Sequence, residues 1–167
     1  ALEDLKGNIG AEIKQLPDIG LDHRRLVTMD RVSHLAVLAA DEAYKQSGLD
    51  LTDSQKLRAG AVVGVGTFGG ISIDEAYRAV WRDGKKHPPI FTVPKAMPGA
   101  AAGQVSMHLG LKGTVFGVSS ACSSSNHAIG VAVDILRSGR ADVMLAGGAD
   151  APLIFGVLKA WEALRVL

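Results

Sequence analysis

Residues 113–150 read GTVFGVSSACSSSNHAIGVAVDILRSGRADVMLAGGAD, and this order of residue types predicts a strand, a turn, a helix and a second strand. The first strand is Thr114–Val118, the turn of small residues is Ser119–Ser125, and the helix runs from about Asn126 to Ser138. The second strand is Val143–Ala146. A strand–helix–strand unit of this kind predicts an α/β fold. Because Thr114–Val118 is apolar on both faces, we expect this strand to be buried on both.

Cys122 is the only cysteine of the chain, and it lies in the turn between the first strand and the helix. Unpaired backbone N–H groups of the first helical turn and the positive end of the helix dipole would stabilise a thiolate at this position. The same N–H groups can hold an oxyanion formed when the sulfur attacks a carbonyl. A lone cysteine is more commonly a small buried hydrophobe. Position alone therefore leaves both interpretations of Cys122 open.

Length and composition narrow the class of protein. A chain of 167 residues with 47% hydrophobic content is sufficient for one domain with its own core. The net charge of +1 gives no field that would attract nucleic acid or a membrane surface, and no run approaches the roughly 20 apolar residues of a membrane span. A single cysteine excludes an intrachain disulfide and fits a reducing cytoplasm. Patterns such as H-x-x-x-H and C-x-x-C do not occur, so we expect no metal site.

The remaining elements follow from apolar periodicity and from glycine and proline positions. We expect helices over Thr28–Ser47, Ser72–Arg82 and Ala96–Leu109 and a buried strand over Ala59–Val65. We expect an edge strand with a loop over Ala1–Gly20, a polar connection over Asp50–Leu57 and a partly helical tail over Pro152–Leu167.

A glycine-rich turn follows the predicted buried strand and suggests an alternative function. Gly64, Gly66 and Gly69 match G-x-G-x-x-G, the pattern of a dinucleotide-binding turn in an oxidoreductase. In that fold a second strand with an acidic end follows about 20 residues later. Here the chain continues instead into a charged helix and the loop GKKHPP at residues 84–89. This context favours a different role for the turn, but the glycine pattern leaves a nucleotide-binding function as an alternative.

Several motifs together resemble one enzyme family. The segment SSACSSSNHAIG at residues 119–130 is similar to the nucleophile segment of the β-ketoacyl-acyl carrier protein synthases, the elongating condensing enzymes of the thiolase superfamily. The similarity continues through ADVMLAGGAD at 141–150 and includes VPKAM at 93–97 and GLKG at 110–113. The resemblance implies a layered α/β/α/β/α architecture with a mixed, largely buried sheet. Residues 1–167 would then be the N-terminal half of a subunit, without its first strand and its whole C-terminal half.

The resemblance also implies a reaction. Cys122 would take an acyl group from acyl carrier protein as a thioester, and malonyl-acyl carrier protein would lose carbon dioxide so that its carbanion attacks that thioester. This decarboxylative Claisen condensation elongates a fatty acid or polyketide. The backbone N–H of Cys122 would form half of the oxyanion hole, and two histidines and a lysine would come from the other half of the subunit. We therefore expect this portion alone to be inactive in condensation. No dissociable cofactor is expected, because the carrier delivers its own phosphopantetheine.

Site residues and partners follow from the same resemblance. His127 is expected to pack rather than react. The turn after the buried strand would line the acyl pocket, with Thr67 at the variable floor position, and basic residues would dock the carrier. The acyl-pocket residues are Thr67, Phe68 and Ala121, and the carrier-protein surface residues are Arg24, Arg25, Lys85 and Lys86.

The expected assembly is a homodimer in which the strand at Gly113–Ser119 pairs with its copy. The neighbour would bring Phe91–Met97 against the acyl pocket. A non-catalytic partner subunit that sets chain length is a third hypothesis, and Cys122 argues against it because such partners lack the nucleophile.

Overall fold

The computed structural model of the chain describes residue 5 and residues 10–167. Eight α-helices, one π-helical turn and three strands lie in these ranges, and the strands form a single sheet. In chain order the elements are α1 (His23–Leu26), α2 (Arg31–Gln46), α3 (Asp53–Lys56), β1 (Ala59–Gly64), α4 (Gly70–Tyr77), the π-helix (Arg78–Arg82), α5 (Thr92–Ala96), α6 (Ala100–Leu109), β2 (Val115–Val118), α7 (Ser124–Arg137), β3 (Val143–Gly148) and α8 (Phe155–Ala163).

The three strands are parallel and stand in the order β2–β1–β3, so that β1 is central. Ala61 of β1 pairs with Val115 of β2, and Ala59 of β1 pairs with Val143 of β3. The chain passes from β1 to β2 on one side of it and then crosses over β1 to reach β3 on the other side. Right-handed connections therefore place α7 on the face opposite to the helices between β1 and β2.

Strand β1 is buried along its whole length and contributes to both halves of the core. Ala61 and Val63 belong to the larger apolar cluster with α2 and α6, whereas Val62 belongs to a second cluster with α7. This alternation is the two-residue period of a strand. The result is a three-layer arrangement, with α2 and α6 on one face of the sheet and α7 on the other.

A buried carboxylate links the start of α2 to α4. Asp30 is 2% exposed, and its Oδ1 accepts the Val32 N–H at 3.1 Å as the N-cap of α2. Its Oδ2 accepts the Ser72 N–H at 2.8 Å and the Ser72 hydroxyl at 2.7 Å. The charge is therefore satisfied by three donors, which is the condition for burying a carboxylate without a large penalty.

The predicted α/β class and the strand–turn–helix–strand unit are confirmed. Helix α7 begins at Ser124, two residues before the predicted start, which brings its first turn closer to Cys122. The predicted edge strand at Ala1–Gly20 lies partly outside the described residues, and residues 10–20 form no strand. Within the described part of the chain, no helix is both long and apolar enough to cross a membrane.

Four details of the fold differ from the expectations. The three described strands are all parallel, so the mixed sheet that the resemblance implied is not seen in them. Strand β2 is half-buried rather than buried on both faces, because it lies at an edge of the sheet. The polar connection contains α3, which starts at a capping box of Thr52 and Gln55. The long helix predicted over Ala96–Leu109 divides at Met97, which is extended because Pro98 follows it.

Candidate active site

Three turns meet at the carboxyl edge of the sheet. One follows β1 and carries Thr67, one follows β2 and carries Cys122, and the third follows β3 and carries Asp150. The carboxyl ends of parallel strands are where α/β proteins place their ligands. Cys122 is exposed there, one residue before the N-cap of α7.

The turn around Cys122 is held by a short set of hydrogen bonds. The buried Ser124 hydroxyl accepts the Ser120 N–H at 2.9 Å and donates to the Ala121 carbonyl at 2.6 Å. The same carbonyl accepts the Ser124 N–H at 3.1 Å, and the Ser123 N–H donates to the Ser120 carbonyl at 3.1 Å. No hydrogen bond among the described residues occupies the Cys122 N–H.

Ala121 has a backbone conformation that is unusual for its residue type. Its φ angle is 50°, in the left-handed region, where a residue with a Cβ is strained by about 1 kcal/mol or more. The two hydrogen bonds from Ser124 to the Ala121 carbonyl hold this conformation in place. The strain is located at the residue directly before the thiol.

The first turn of α7 rests on two glycines at the ends of β1 and β3. A Cβ built on Gly64 would lie 2.4 Å from the carbonyl oxygen of Ser124, and a Cβ on Gly148 would lie 1.9 Å from the Ser125 Oγ. Both distances are far below a normal contact, so only glycine permits this approach. Because Gly64 and Gly148 have no side chains, the first turn of α7 packs directly on the ends of β1 and β3, and this determines how close the Cys122 turn lies to the sheet.

His127 contacts the Cys122 turn through Ser120. Its Nδ1 lies 2.5 Å from the Ser120 Oγ, a contact that ties α7 back to the start of the turn. The His127 side chain is exposed, and the expected packing role stays a prediction. Two other histidines lie elsewhere: His108 bonds Asp41 between α6 and α2 at 2.9 Å, and burial, with a smaller effect of Arg31, lowers the pKa of His34 on α2.

Asp150 was missed as a functional candidate, although it closes the motif GGAD, which spans the end of β3. Its Oδ2 accepts the Gly66 N–H at 3.0 Å, and its Oδ1 accepts the Thr67 hydroxyl and, at 3.1 Å, the Ala151 N–H. The only available signal was its position at the carboxyl end of a parallel strand.

The predicted acyl-pocket residues are only partly brought together. The turns of Thr67 and Ala121 lie near each other, since a Cβ built on Gly66 would be 3.6 Å from the Ala121 carbonyl oxygen. Phe68 has a φ of 50°, and its side chain packs against the larger core cluster. Cavities of about 350, 240 and 130 Å³ are each lined by other residues. The acyl pocket stays a prediction.

The glycine-rich turn leaves no room for a nucleotide pyrophosphate. The space above Gly64 is taken by Ser124, that above Gly66 by the Asp150 carboxylate at 2.6 Å, and that above Gly69 by the Lys95 carbonyl at 2.3 Å. A dinucleotide turn needs these glycines so that phosphate can approach the backbone. The geometry therefore disfavours the oxidoreductase alternative.

The predicted carrier-protein residues lie on two separate elements. Arg24 is exposed on α1, whereas Arg25 is half-buried and donates to Gln104 of α6 at 3.5 Å. Lys85 and Lys86 are exposed in the loop after the π-helix. Their role stays a prediction. The described residues contain no cluster of side chains that could hold a metal ion.

Comparison with known proteins gives consistent matches. Residues 16–167 match the family described as beta-ketoacyl synthase, N-terminal domain. The chain is 60% identical over 166 residues to nodulation protein E of Rhizobium sp. (strain N33), covering 99% of this chain and 41% of that protein. It is 34% identical over 147 residues to 3-oxoacyl-[acyl-carrier-protein] synthase 2 of Staphylococcus aureus (strain N315), covering 88% of this chain and 36% of that protein.

A solved structure gives a similar result at lower identity. Its description is a type II PKS acyl-carrier protein in complex with its ketosynthase bound to the hexaketide. The match has a TM-score of 0.75 and 26% identity, and it covers 84% of this chain and 36% of that one. The chain thus spans about two fifths of the length of the curated relatives it matches.

Proposed function

The chain belongs to the β-ketoacyl synthase family, and from this premise we propose that Cys122 is the nucleophile of an acyl-transfer enzyme that elongates fatty acid or polyketide chains. The observation that carries the proposal is the placement of the thiol. Cys122 is exposed in a hydrogen-bonded turn directly before α7, at the carboxyl edge of a parallel sheet. A reactive thiol needs this combination of access and backbone donors.

The proposed reaction has two stages. First the Cys122 thiolate attacks the carbonyl of an acyl thioester, and the carrier sulfur leaves as a thiolate that takes up the proton released by Cys122, so that the acyl group is held on the Cys122 sulfur. Then malonyl-acyl carrier protein loses carbon dioxide, and its carbanion attacks the Cys122 thioester, which gives a β-ketoacyl carrier and frees the sulfur. In each attack the Cys122 N–H would donate to the developing oxyanion. The carrier brings its own phosphopantetheine, and no further cofactor is required.

The proposed partner is an acyl carrier protein. The structural relative described above was solved as a ketosynthase in complex with an acyl-carrier protein. On this chain, Arg24 on α1 and Lys85 and Lys86 after the π-helix are exposed cations that suit an acidic partner. Charge reversal at Lys85 and Lys86 should slow transfer from the carrier more than transfer from a small thioester.

We also propose a homodimer formed through β2. This strand pairs with β1 on one side, and the described residues provide no strand on its other side. Phe116 on β2 is 37% exposed, and Met107 on α6, the helix that packs on β2, is 63% exposed. Exposed apolar side chains beside an open sheet edge are typical of a subunit interface. Sedimentation of the full-length protein tests this proposal.

Acyl transfer to Cys122 can be measured by mass spectrometry. Incubation of the full-length protein with a fatty-acyl carrier protein should add the acyl mass to the peptide that contains Cys122. The variant Cys122→Ala should acquire no adduct, while Cys122→Ser keeps the shape of the turn as a control for folding. A non-catalytic partner subunit or a nucleotide-binding protein predicts no adduct. An unmodified Cys122 after prolonged incubation, in a folded protein, would contradict the proposal.

A further inference from the structure

Asp150 joins two of the three turns at the carboxyl edge of the sheet, the one after β3 and the one after β1. Its carboxylate accepts hydrogen bonds from the Gly66 N–H and the Thr67 hydroxyl. The approach depends on Gly66, because any Cβ there would lie 2.6 Å from the Asp150 Oδ2. One carboxylate at the end of β3 therefore fixes the turn after β1, including the hydroxyl of Thr67.

The hydrogen bond to Asp150 also determines what the Thr67 side chain presents to its surroundings. A threonine hydroxyl has a single proton to donate, and here the acceptor is a carboxylate, which makes a strong hydrogen bond. Thr67 is β-branched, so fixing its hydroxyl toward Asp150 places the methyl group in another staggered position. The group that Thr67 offers to other neighbours is consequently its methyl group.

We propose that Asp150 is a positioning residue for acyl selectivity: by holding the Thr67 hydroxyl, it makes a polar residue act as an apolar wall toward the acyl chain. The inference rests on the proposed function and on the expected place of Thr67 at the floor of the acyl pocket. It explains how threonine can serve at a position where an apolar residue would be expected beside a hydrocarbon chain. Without the carboxylate, the hydroxyl would need another acceptor, and a hydrocarbon chain has none.

A double-mutant cycle tests this inference in the full-length protein. Acylation of Cys122 is followed with an acetyl carrier and with a long saturated acyl carrier, and selectivity is the ratio of the two kcat/KM values. Asp150→Ala should lower the long-chain selectivity roughly tenfold, the effect of leaving the Thr67 hydroxyl without its acceptor once a bound hydrocarbon chain has displaced the water around it. In a Thr67→Val background, which keeps the side-chain shape and removes the hydroxyl, the same Asp150→Ala change should alter the ratio by less than about twofold. Asp150→Asn retains one acceptor oxygen and should restore part of the selectivity.

The outcomes separate positioning from simple support of the fold. If Asp150→Ala lowers both rates equally, or changes the ratio by the same factor with and without the Thr67 hydroxyl, the inference is wrong. If Asp150→Ala does not fold, Asp150→Asn is compared instead in the Thr67 and Thr67→Val proteins. Asp150→Asn should then lower the long-chain selectivity by a smaller factor with Thr67 present and change it little in the Thr67→Val protein. Failure of the unsubstituted protein to acylate Cys122 would overturn the proposed function and this inference with it. Normal acylation with unchanged selectivity in every variant would overturn the inference alone.

Discussion

Replacing Gly64 by alanine is expected to displace the first turn of α7 and with it the Cys122 turn. A Cβ at this position would lie 2.4 Å from the Ser124 carbonyl carbon and oxygen, which is 1.0 Å short of the 3.4 Å at which ordinary contacts begin. The obstructing atoms belong to the backbone, so no side chain can rotate away. The first turn of α7 must therefore move by about 1 Å, or β1 must shift in its pairing with both neighbours.

The displacement has two measurable consequences. Overpacking of a core site costs about 1–3 kcal/mol, and the backbone contact places Gly64→Ala near the upper limit. For a domain of this size, about 3 kcal/mol lowers the thermal midpoint by roughly 6–12 °C. A misplacement of about 1 Å at a reacting group can reduce the rate about a hundredfold. We therefore expect acylation of Cys122 to fall by much more than the folded fraction does.

The assay combines calorimetry with mass-spectrometric acylation at a temperature where every variant is folded. Gly147→Ala is the matched control, because Gly147 also lies at the carboxyl end of the sheet but its Cβ would meet no atom within 4 Å. That variant should differ little from the parent in both measurements. The reasoning is refuted if Gly64→Ala keeps the parental midpoint and acylation rate, or if Gly147→Ala is damaged to the same degree.

Three further substitutions test other parts of the structure. Gly130→Ala in α7 should raise the thermal midpoint by about 2–4 °C, because the added Cβ meets open space and a glycine inside a helix costs about 1 kcal/mol; a lower midpoint in calorimetry would show that another surface covers α7. Ala121→Gly should stabilise the fold by about 0.5 kcal/mol in urea unfolding, since glycine relieves the positive φ, and a loss of stability would contradict this. Asp41→Asn should cost about 1 kcal/mol at neutral pH, because the hydrogen bond from Lys45 and a smaller one from His108 lower the pKa of the Asp41 carboxyl. This stabilisation is present above the unfolded pKa of about 3.9 and is lost as the pH falls through the folded pKa. The difference in unfolding free energy between parent and variant should therefore shrink toward zero in acid. A difference that does not change with pH would contradict the reasoning.

Local sequence was sufficient for the elements around Cys122, because each carries its own signal. The apolar run of β1, the periodicity of α2 and the small-residue turn after β2 are all readable without tertiary information. The α3 helix was missed although Thr52 and Gln55 form a recognisable capping pair. Burial of β2 could not be read in the same way, because an apolar strand has the same sequence whether it lies inside a sheet or at an open edge.

The sequence was sufficient to predict the candidate nucleophile but not the residues that hold the surrounding turns in place. Cys122 stands out as the lone cysteine of a strand-to-helix turn. Ser124 acts through hydrogen bonds to Ser120 and Ala121 that depend on the left-handed backbone of Ala121, a conformation that the residue type does not predict. Asp150 acts through contacts that exist only once β1 and β3 have been aligned, because it reaches Thr67 across 83 residues of sequence. Spacing along the chain does not contain that distance.

The position of β1 at the centre of the sheet has a consequence for synthesis of the protein. Its partners emerge later, since Ala61 pairs with Val115 and Ala59 with Val143. A nascent chain that ends before β2 therefore holds a wholly apolar strand with both edges open, the kind of segment that self-associates or recruits chaperones. Only the arrival of β3 closes the second edge and seats α7 at its final height. Protease sensitivity of ribosome-bound chains should thus fall in one step after Gly148 has cleared the exit tunnel, and an earlier loss of sensitivity would show that β1 finds a different partner first.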